Sequence, residues 1–164
     1  MHFRLAILLL LFGATGYVKA QEEAYLTLSQ VPEKVIQKYK LLFPADDIGN
    51  VLWEFEDNGY EGYLHDSNRE KTGVVFFNAE GKLLYKVMTT REGIRTGSEN
   101  EIEMQEIPGE LLDYVKKKHS EKKIKAAIKH MDAEEAVTAY VVILDGLAVE
   151  LNNISQTIGS YTLP

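Results

Sequence analysis

The chain has 164 residues, of which 45% are hydrophobic and 26% charged, and its formal net charge is −7. It contains no cysteine, which excludes a disulfide framework, a cysteine nucleophile and a thiolate metal site. The mixed composition argues against a disordered, collagenous or polytopic membrane protein, and the acidic balance disfavours nonspecific contact with nucleic acid or anionic lipid.

The first twenty residues have the layout of a secretory signal peptide. Arg4 gives a positive start, residues 5–12 form a short apolar run, and Val18-Lys19-Ala20 supplies small or aliphatic residues before a cleavage point. The apolar run is too short to cross a bilayer of about 30 Å. We therefore expect cleavage near Ala20 and a protein in the periplasm or outside the cell, without stable membrane insertion. A buried N-terminal helix or a membrane anchor is the alternative.

Two segments of the remaining chain begin alike, with Val31-Pro32 and Ile107-Pro108. Proline suits the first turn of a helix, because its missing N–H would have no intrahelical partner there. After the first proline, apolar residues at 35, 36, 39, 42 and 43 repeat with helical spacing until Pro44 ends the helix. A shorter apolar stripe at 111, 112 and 115 follows the second proline, so we predict a helix in each segment.

Strand-like segments follow each predicted helix. Asn58-Gly59 and Asp145-Gly146 are strong signals for two-residue hairpin turns, because both central residues must adopt positive φ. Four strands are expected in each segment: 51–56, 60–65, 74–78 and 82–89 in the first, and 124–131, 137–144, 147–152 and 157–163 in the second.

This order predicts an α+β fold built as a tandem repeat of one helix plus four antiparallel strands, since a parallel sheet would need alternating strands and helices. The predicted units are residues 21–90 and 107–164, with residues 91–106 as a surface connection. The expected arrangement is one extended antiparallel sheet with both helices packed on one face. Two independent sheets are the alternative.

The hairpin turns predict which side chains share a face of the sheet. Counting outward from Asn58-Gly59 pairs Glu56 with Glu61 and Trp53 with Leu64. One face then carries the apolar set that should pack under a helix: Val51, Trp53, Phe55, Tyr60, Gly62 and Leu64. The other face is expected to be wet, and it is the predicted partner-binding surface: Glu54, Glu56, Glu61, Tyr63 and His65, beside Leu52.

The same count around Asp145-Gly146 predicts the faces of the second hairpin. Leu144, Val142 and Tyr140 should lie on the covered face together with Leu147, Val149 and Leu151. Their alternating neighbours, which include Val141, Ile143 and Ala148, should lie on the open face.

The sequence resembles the PepSY-like, β-lactamase-inhibitor-like family of secreted bacterial domains. The resembling features are the signal peptide, the paired Val31-Pro32 and Ile107-Pro108 openings, Phe43-Pro44, the strand 51–54, Tyr60-Glu61 and residues 77–83. The resemblance implies tandem helix-plus-four-strand units in one antiparallel sheet and a non-enzymatic role in binding or inhibiting another exported protein. The second segment departs from the pattern, with His119-Ser120 in place of Phe43-Pro44.

Residues that could carry catalysis or bind a metal have simpler interpretations. His65, His119 and His130 lack the spacing that places two metal ligands on one face, so no metal site is expected. Ser98 is not surrounded by a Gly-x-Ser-x-Gly elbow. Glycine-rich phosphate loops are absent from the sequence as well, and no cofactor is expected.

The charged side chains are interpreted as solvated surfaces. Glu54, Glu56, Glu61 and His65 could form an acid–base set, but general acid catalysis needs a buried carboxyl with a raised pKa. The lysines within residues 116–129 lack the interleaved aromatic residues of a nucleic-acid site. Trp53 is expected in the core.

The leading hypothesis is an exported, non-enzymatic module that docks the open face of its sheet on another extracytoplasmic protein. A periplasmic carrier or sensor of a small envelope ligand is the alternative, with the ligand held between helix and sheet or between the two units. A hydrolase with an unrecognised site is a third.

Overall fold

The computed structural model describes residues 25–164, and the predicted signal peptide lies outside them. Within this range, no helix combines the length and hydropathy that crossing a membrane would require. The elements are two helices and nine strands, and single 3-10 turns lie before the first helix, the first strand and the second helix. Helix α1 spans Glu33–Leu42 and α2 spans Gly109–Lys118; the strands are β1 Val51–Glu56, β2 Gly59–His65, β3 Lys71–Asn78, β4 Leu83–Thr89, β5 Arg95–Glu101, β6 Ala126–Asp132, β7 Val137–Leu144, β8 Leu147–Asn152 and β9 Thr157–Thr162.

All nine strands form one antiparallel sheet in which each strand pairs with its neighbours in sequence. The alternative of two separate sheets is therefore wrong. The strand that joins the two halves is β5, which lies inside the interval that we expected to be a surface connection. Its Arg-Thr-Gly-Ser-Glu-Asn-Glu sequence lacks the alternation of apolar residues that indicates a strand, yet Gly97, Ser98 and Glu99 are buried.

The two helices lie on opposite faces of the sheet, so the prediction that both cover one face is wrong. Val141 and Ile143 of β7 belong to the core cluster under α1. Val142 and Leu144, which alternate with them, belong to the cluster under α2. Because successive side chains of a strand point to opposite faces, the two helices must pack on opposite sides.

The helices lie on opposite faces because of the number of strands between them. Five strands separate the start of β1 from the start of β6 in a fully antiparallel sheet, so β1 and β6 run in opposite directions. If α2 connects to β6 in the same way as α1 connects to β1, the reversed direction of β6 places α2 on the other face. The α+β class and the single antiparallel sheet agree with the prediction, whereas the helix placement does not.

Aromatic packing dominates the core beneath α1. Tyr39 is 1% exposed, and its ring meets the ring of Trp53 edge-on with centroids 5.8 Å apart. Phe77, which is fully buried, packs against both rings. Trp53 is itself 1% exposed, which confirms its predicted place in the core. Beneath α2, the buried core is aliphatic and comes from the helix, from strands β6 to β8, and from Ile102 and Ile107 in the segment before the helix.

The first hairpin turns one residue earlier than predicted. Asp57 and Asn58 adopt positive φ of 47° and 61°, so Gly59 already belongs to β2. Trp53 pairs with Gly62 rather than Leu64, and Glu54 pairs with Glu61. Every partner is displaced by two positions, which leaves each side chain on its predicted face. Phe55 is nonetheless 57% exposed on the side predicted to be covered, because it extends past the core under α1.

The second hairpin has the predicted register, with Leu144 opposite Leu147 and Val142 opposite Val149. Its other face is not open as expected. Val141, Ile143 and Ala148 are buried in the α1 core cluster. Strand β7 is therefore covered on both sides.

The segments around the two helices correspond position by position. Helices α1 and α2 both have ten residues, and they begin 76 positions apart at Glu33 and Gly109. Each helix follows a 3-10 turn, and these turns, Leu28–Gln30 and Met104–Glu106, are offset by the same interval. Pro32 and Pro108 cap the helices with nearly equal backbone angles, φ −54° and ψ 137° against φ −52° and ψ 135°.

Candidate functional site

The candidate site is the face of strands β1 to β4 opposite α1, which no helix covers within the described part of the chain. Glu54, Glu56, Glu61 and Tyr63 lie together on this face, as the predicted faces of the hairpin required, although the pairing itself differs. We call these four residues the acidic face. Alternation along β1 and β2 positions them, because the intervening Val51, Trp53, Gly62 and Leu64 point into the core.

Three carboxylates crowd together on the acidic face. Glu54 is directly opposite Glu61 across the strands, and Glu56 lies two residues along β1 on the same side. One oxygen from each carboxylate lies within 4.8 Å of the others. Like charges in directly opposed positions destabilise a sheet. No lysine, arginine or histidine among residues 25–164 lies within salt-bridge distance of these three carboxylates.

The crowding of the carboxylates changes the pKa of Glu56. The hydrogen bond and the negative charge of Glu61 raise the pKa of Glu56 above its ordinary value of 4.5, although Glu56 is exposed. A raised carboxyl pKa means that ionisation of this group opposes the folded arrangement. A cation brought to this position would reverse that effect.

Tyrosine hydroxyls donate hydrogen bonds to the cluster. The Oη of Tyr63 lies 2.9 Å from Oε2 of Glu61 and 3.3 Å from Oε2 of Glu54, so one proton serves both carboxylates. Burial and the neighbouring Glu61 raise the pKa of Tyr63, which keeps its hydroxyl protonated as a donor. The Oη of Tyr85 on β4 lies 3.5 Å from the other oxygen of Glu61.

Aromatic rings extend the acidic face. The rings of Tyr85 and Phe76 are stacked with centroids 5.5 Å apart, and the ring of Tyr25 meets Tyr63 edge-on at 6.1 Å. The ammonium group of Lys71 lies 4.4 Å from the centre of the Tyr63 ring. Sequence reasoning missed these four neighbours. Extending the strand alternation from β2 to β3 and β4 would have found Phe76 and Tyr85.

His65, the fifth predicted residue, is not part of this cluster. A bulge separates Leu64 from His65 in the pairing of β2 with β3. The Nδ1 atom of His65 lies 2.9 Å from the carbonyl oxygen of Tyr63, and the ring lines a cavity at the end of the strands beside Asn50. The expectation that His65 forms one set with the three carboxylates is wrong, because its Nδ1 contacts the backbone of its own strand instead, whereas its part in partner binding stays a prediction.

The acidic face can hold a positive charge. Carboxylate oxygens accept hydrogen bonds from lysine or arginine, and they are also ligands for hard divalent ions such as Ca²⁺, which takes six to eight oxygens. Within residues 25–164, this trio is the one group of three or more possible metal ligands that converge. A general acid would need burial, which Glu56 lacks.

The other sequence candidates, Ser98, His119 and His130, are not members of the acidic face. The hydroxyl of Ser98 is 2% exposed and accepts a hydrogen bond from Arg95 at 2.7 Å. His119 ends helix α2, and His130 lies 3.3 Å from Glu99 across the sheet. The three lysines that close α2 are exposed, where their charge complements the helix dipole.

Comparison with known proteins identifies two similar solved structures. One is a BLIP-like protein from Bacteroides fragilis, 16% identical, covering 85% of this chain and 89% of that chain with a TM-score of 0.33. The other is a DUF2874 family protein from Bacteroides vulgatus, 13% identical, covering 85% and 96% of the two chains with a TM-score of 0.30. No protein-family model matches the chain, and no curated protein matches it either.

Proposed function

We propose that the protein is an exported, non-enzymatic binding module that uses its acidic face to dock on a basic surface of another extracytoplasmic protein. The observation that carries this proposal is the convergence of Glu54, Glu56 and Glu61 without a basic partner in the described chain. Export rests on the layout of the first twenty residues.

The acidic face combines charge with aromatic surface, and its tyrosines are the part typical of a recognition site. Tyrosines are enriched at protein interfaces because their rings bury apolar area while the hydroxyl keeps a hydrogen bond. Tyr25 is 48% and Tyr85 is 37% exposed, so both rings are available to a partner. A lysine or arginine placed among the carboxylates would relieve the repulsion that raises the pKa of Glu56.

We also propose that the chain is a duplicated unit of one helix and four strands. Support comes from the common interval of 76 positions between the 3-10 turns and between the helices, and from the equal capping angles of Pro32 and Pro108. In this interpretation β5 is an additional strand between the copies. This is the organisation implied by the resemblance to PepSY-like, β-lactamase-inhibitor-like domains.

A defined basic probe tests the docking proposal. The exported protein is titrated with an eight-residue lysine peptide, and the double variant Glu56→Lys, Glu61→Lys is compared with it. The matched control, Glu110→Lys with Glu134→Lys, makes the same change in net charge at two exposed positions on α2 and between β6 and β7. We expect the face variant to weaken peptide binding at least about tenfold and the control to weaken it less than about twofold.

Several outcomes would contradict the docking proposal. Equal losses in both double variants would show that only net charge attracts the peptide. Retained binding in the face variant would show that the acidic face is not the site that binds the peptide. Melting curves of all variants establish that each is folded. Repeating the titration in Ca²⁺ and in a chelator shows whether a divalent ion competes for the same carboxylates.

A carrier of a small ligand is the second candidate, and one observation favours it. A cavity of about 270 Å³ lies between the end of α1 and strands β4 to β9. Part of its wall is charged and buried, which is unusual for a structural core.

A further inference from the structure

A row of ionisable side chains, two of them buried, crosses the centre of the sheet on the α1 side. Lys86 of β4 pairs with Glu99 of β5, and Glu99 pairs with His130 of β6. Lys86 is 7% and Glu99 is 9% exposed. The Nζ of Lys86 lies 2.8 Å from Oδ2 of Asp46, 3.7 Å from Oε2 of Glu99 and 3.9 Å from the centre of the Phe43 ring.

Two atoms of this row lack a hydrogen-bond partner anywhere in residues 25–164: Oε2 of Glu99 and Nε2 of His130. Both are buried. Leaving a buried polar atom unpaired costs about 1–3 kcal/mol, and native proteins do so rarely. Seven buried side-chain atoms within residues 25–164 lack such a partner, and these two are distinguished because their residues line the same cavity, where a bound group can supply it.

The two atoms belong to residues that line the 270 Å³ cavity. The rest of the wall is largely apolar and includes Leu42, Phe43, Ile128 and Val141. At about 30 Å³ of liquid volume per water molecule, this space corresponds to roughly nine waters. It can therefore take a small organic group with an apolar stem.

Protonation and charge determine which head group fits. Nδ1 of His130 lies 3.3 Å from Oε1 of Glu99, so in the neutral ring Nδ1 carries the proton and Nε2 is an acceptor. Burial alone would raise the pKa of Glu99, but the hydrogen bond from His130 and the charge of Lys86 outweigh it and lower that pKa. Glu99 is therefore ionised at neutral pH, and both unpaired atoms accept hydrogen bonds.

The charges in the row leave one negative charge uncompensated when His130 is neutral. Lys86 contributes one positive charge against the two carboxylates of Asp46 and Glu99, both of which it contacts, so the three groups together carry a net charge of −1. A ligand that fits must donate hydrogen bonds and carry a positive charge.

We propose that this cavity binds a primary ammonium group on a short apolar stem, with Oε2 of Glu99 and Nε2 of His130 accepting its N–H groups. The stem lies against Leu42, Ile128 and Val141. This site is distinct from the acidic face, because it opens on the α1 side of the sheet. The same chemistry is offered by a free alkylamine and by the lysine side chain of another protein.

Isosteric probes test the proposal on the exported protein. Hexan-1-amine, hexan-1-ol and hexanoate are titrated at neutral pH while the ring nitrogens of His130 are observed by NMR. We expect the amine to bind at least about tenfold more tightly than the alcohol and to shift the Nε2 signal. Glu99→Gln should weaken amine binding at least about tenfold. Glu110→Gln removes an exposed carboxylate elsewhere and should leave it unchanged.

Nα-acetyl-lysine N-methylamide distinguishes the two sources. Binding of this compound together with hexan-1-amine supports a lysine side chain as the natural group, whereas binding of hexan-1-amine alone supports a free amine. Equal affinity for amine and alcohol would overturn the proposal, as would an unmoved Nε2 signal at saturation. If Glu99→Gln does not fold, the response of the His130 Nε2 signal to the amine in the unmodified protein still tests the proposal.

Discussion

Replacing Lys86 by methionine should destabilise the protein through the charge that it leaves behind. Lys86 and Glu99 are nearly buried, with 9% and 11% of their side chains exposed, and their charged atoms are 3.7 Å apart. At an effective dielectric constant of about 20, this attraction amounts to roughly 4.5 kcal/mol. Desolvation offsets part of it. Asp46, whose side chain is 38% exposed, is screened by water and adds little.

The expected loss in the free energy of unfolding is about 3 kcal/mol, at the lower end for breaking a buried ion pair. Urea unfolding at neutral pH measures this loss, and the melting temperature should fall by about 10 °C. Lys82→Met is the control, because its partner Glu103 is exposed and surface pairs contribute less than about 1 kcal/mol.

The double variant Lys86→Met, Glu99→Leu separates the lost attraction from the uncompensated charge. Removing both charges together should restore stability to within about 1 kcal/mol of the unmodified protein. If Lys86→Met costs no more than the Lys82→Met control, or if the double variant is less stable than either single one, the charge argument is refuted.

Three further predictions concern the core, the acidic face and the response to acid. Gly62→Ala should cost about 2 kcal/mol in urea unfolding, because its Cβ would lie 2.7 and 2.9 Å from two core valine methyls, whereas Gly159→Ala, with no atom within 4 Å, should cost less than about 0.5 kcal/mol. In Glu61→Gln, an NMR titration should show the pKa of Glu56 falling back toward 4.5, and an unchanged pKa would exclude Glu61 as the cause. Because the pKa of Glu99 is lowered, its ionisation stabilises the fold above pH 4.5, and this contribution is lost as pH falls through the folded-state pKa. The stability difference between the unmodified protein and Glu99→Gln should therefore shrink below pH 4.5, and a constant difference would contradict the assigned charge.

Local pattern was sufficient to predict both helices and eight of the nine strands. Alternating apolar residues and turn signals such as Asp145-Gly146 act over a few positions, so the sequence reveals them directly. The first hairpin shows the limit of turn signals. Asn58 adopts positive φ together with Asp57 instead of with Gly59, which displaces the register but preserves the faces. The acidic face was predictable for this reason.

Strand β5 was not predictable from local pattern, since its burial depends on partners distant in sequence. Glu99 is buried beside Lys86 and His130, neither of which is its neighbour along the chain. The wrong placement of the helices has the same origin. With four strands per unit, β1 and the first strand of the second unit would run in the same direction and both helices would share a face. The fifth strand reverses that direction.

The buried charges also determine how the two halves of the sheet join. A strand as polar as β5 could pair with β4 and β6 in several registers, because few apolar side chains distinguish its faces. A shift by one residue would turn Glu99 to the opposite face, and a shift by two would separate it from Lys86 and His130. Either shift leaves charges buried without partners, at a cost of several kcal/mol. We infer that the row from Lys86 to His130 specifies the register of the central strands, so that the site proposed to bind an ammonium group is built from the same residues that align the sheet.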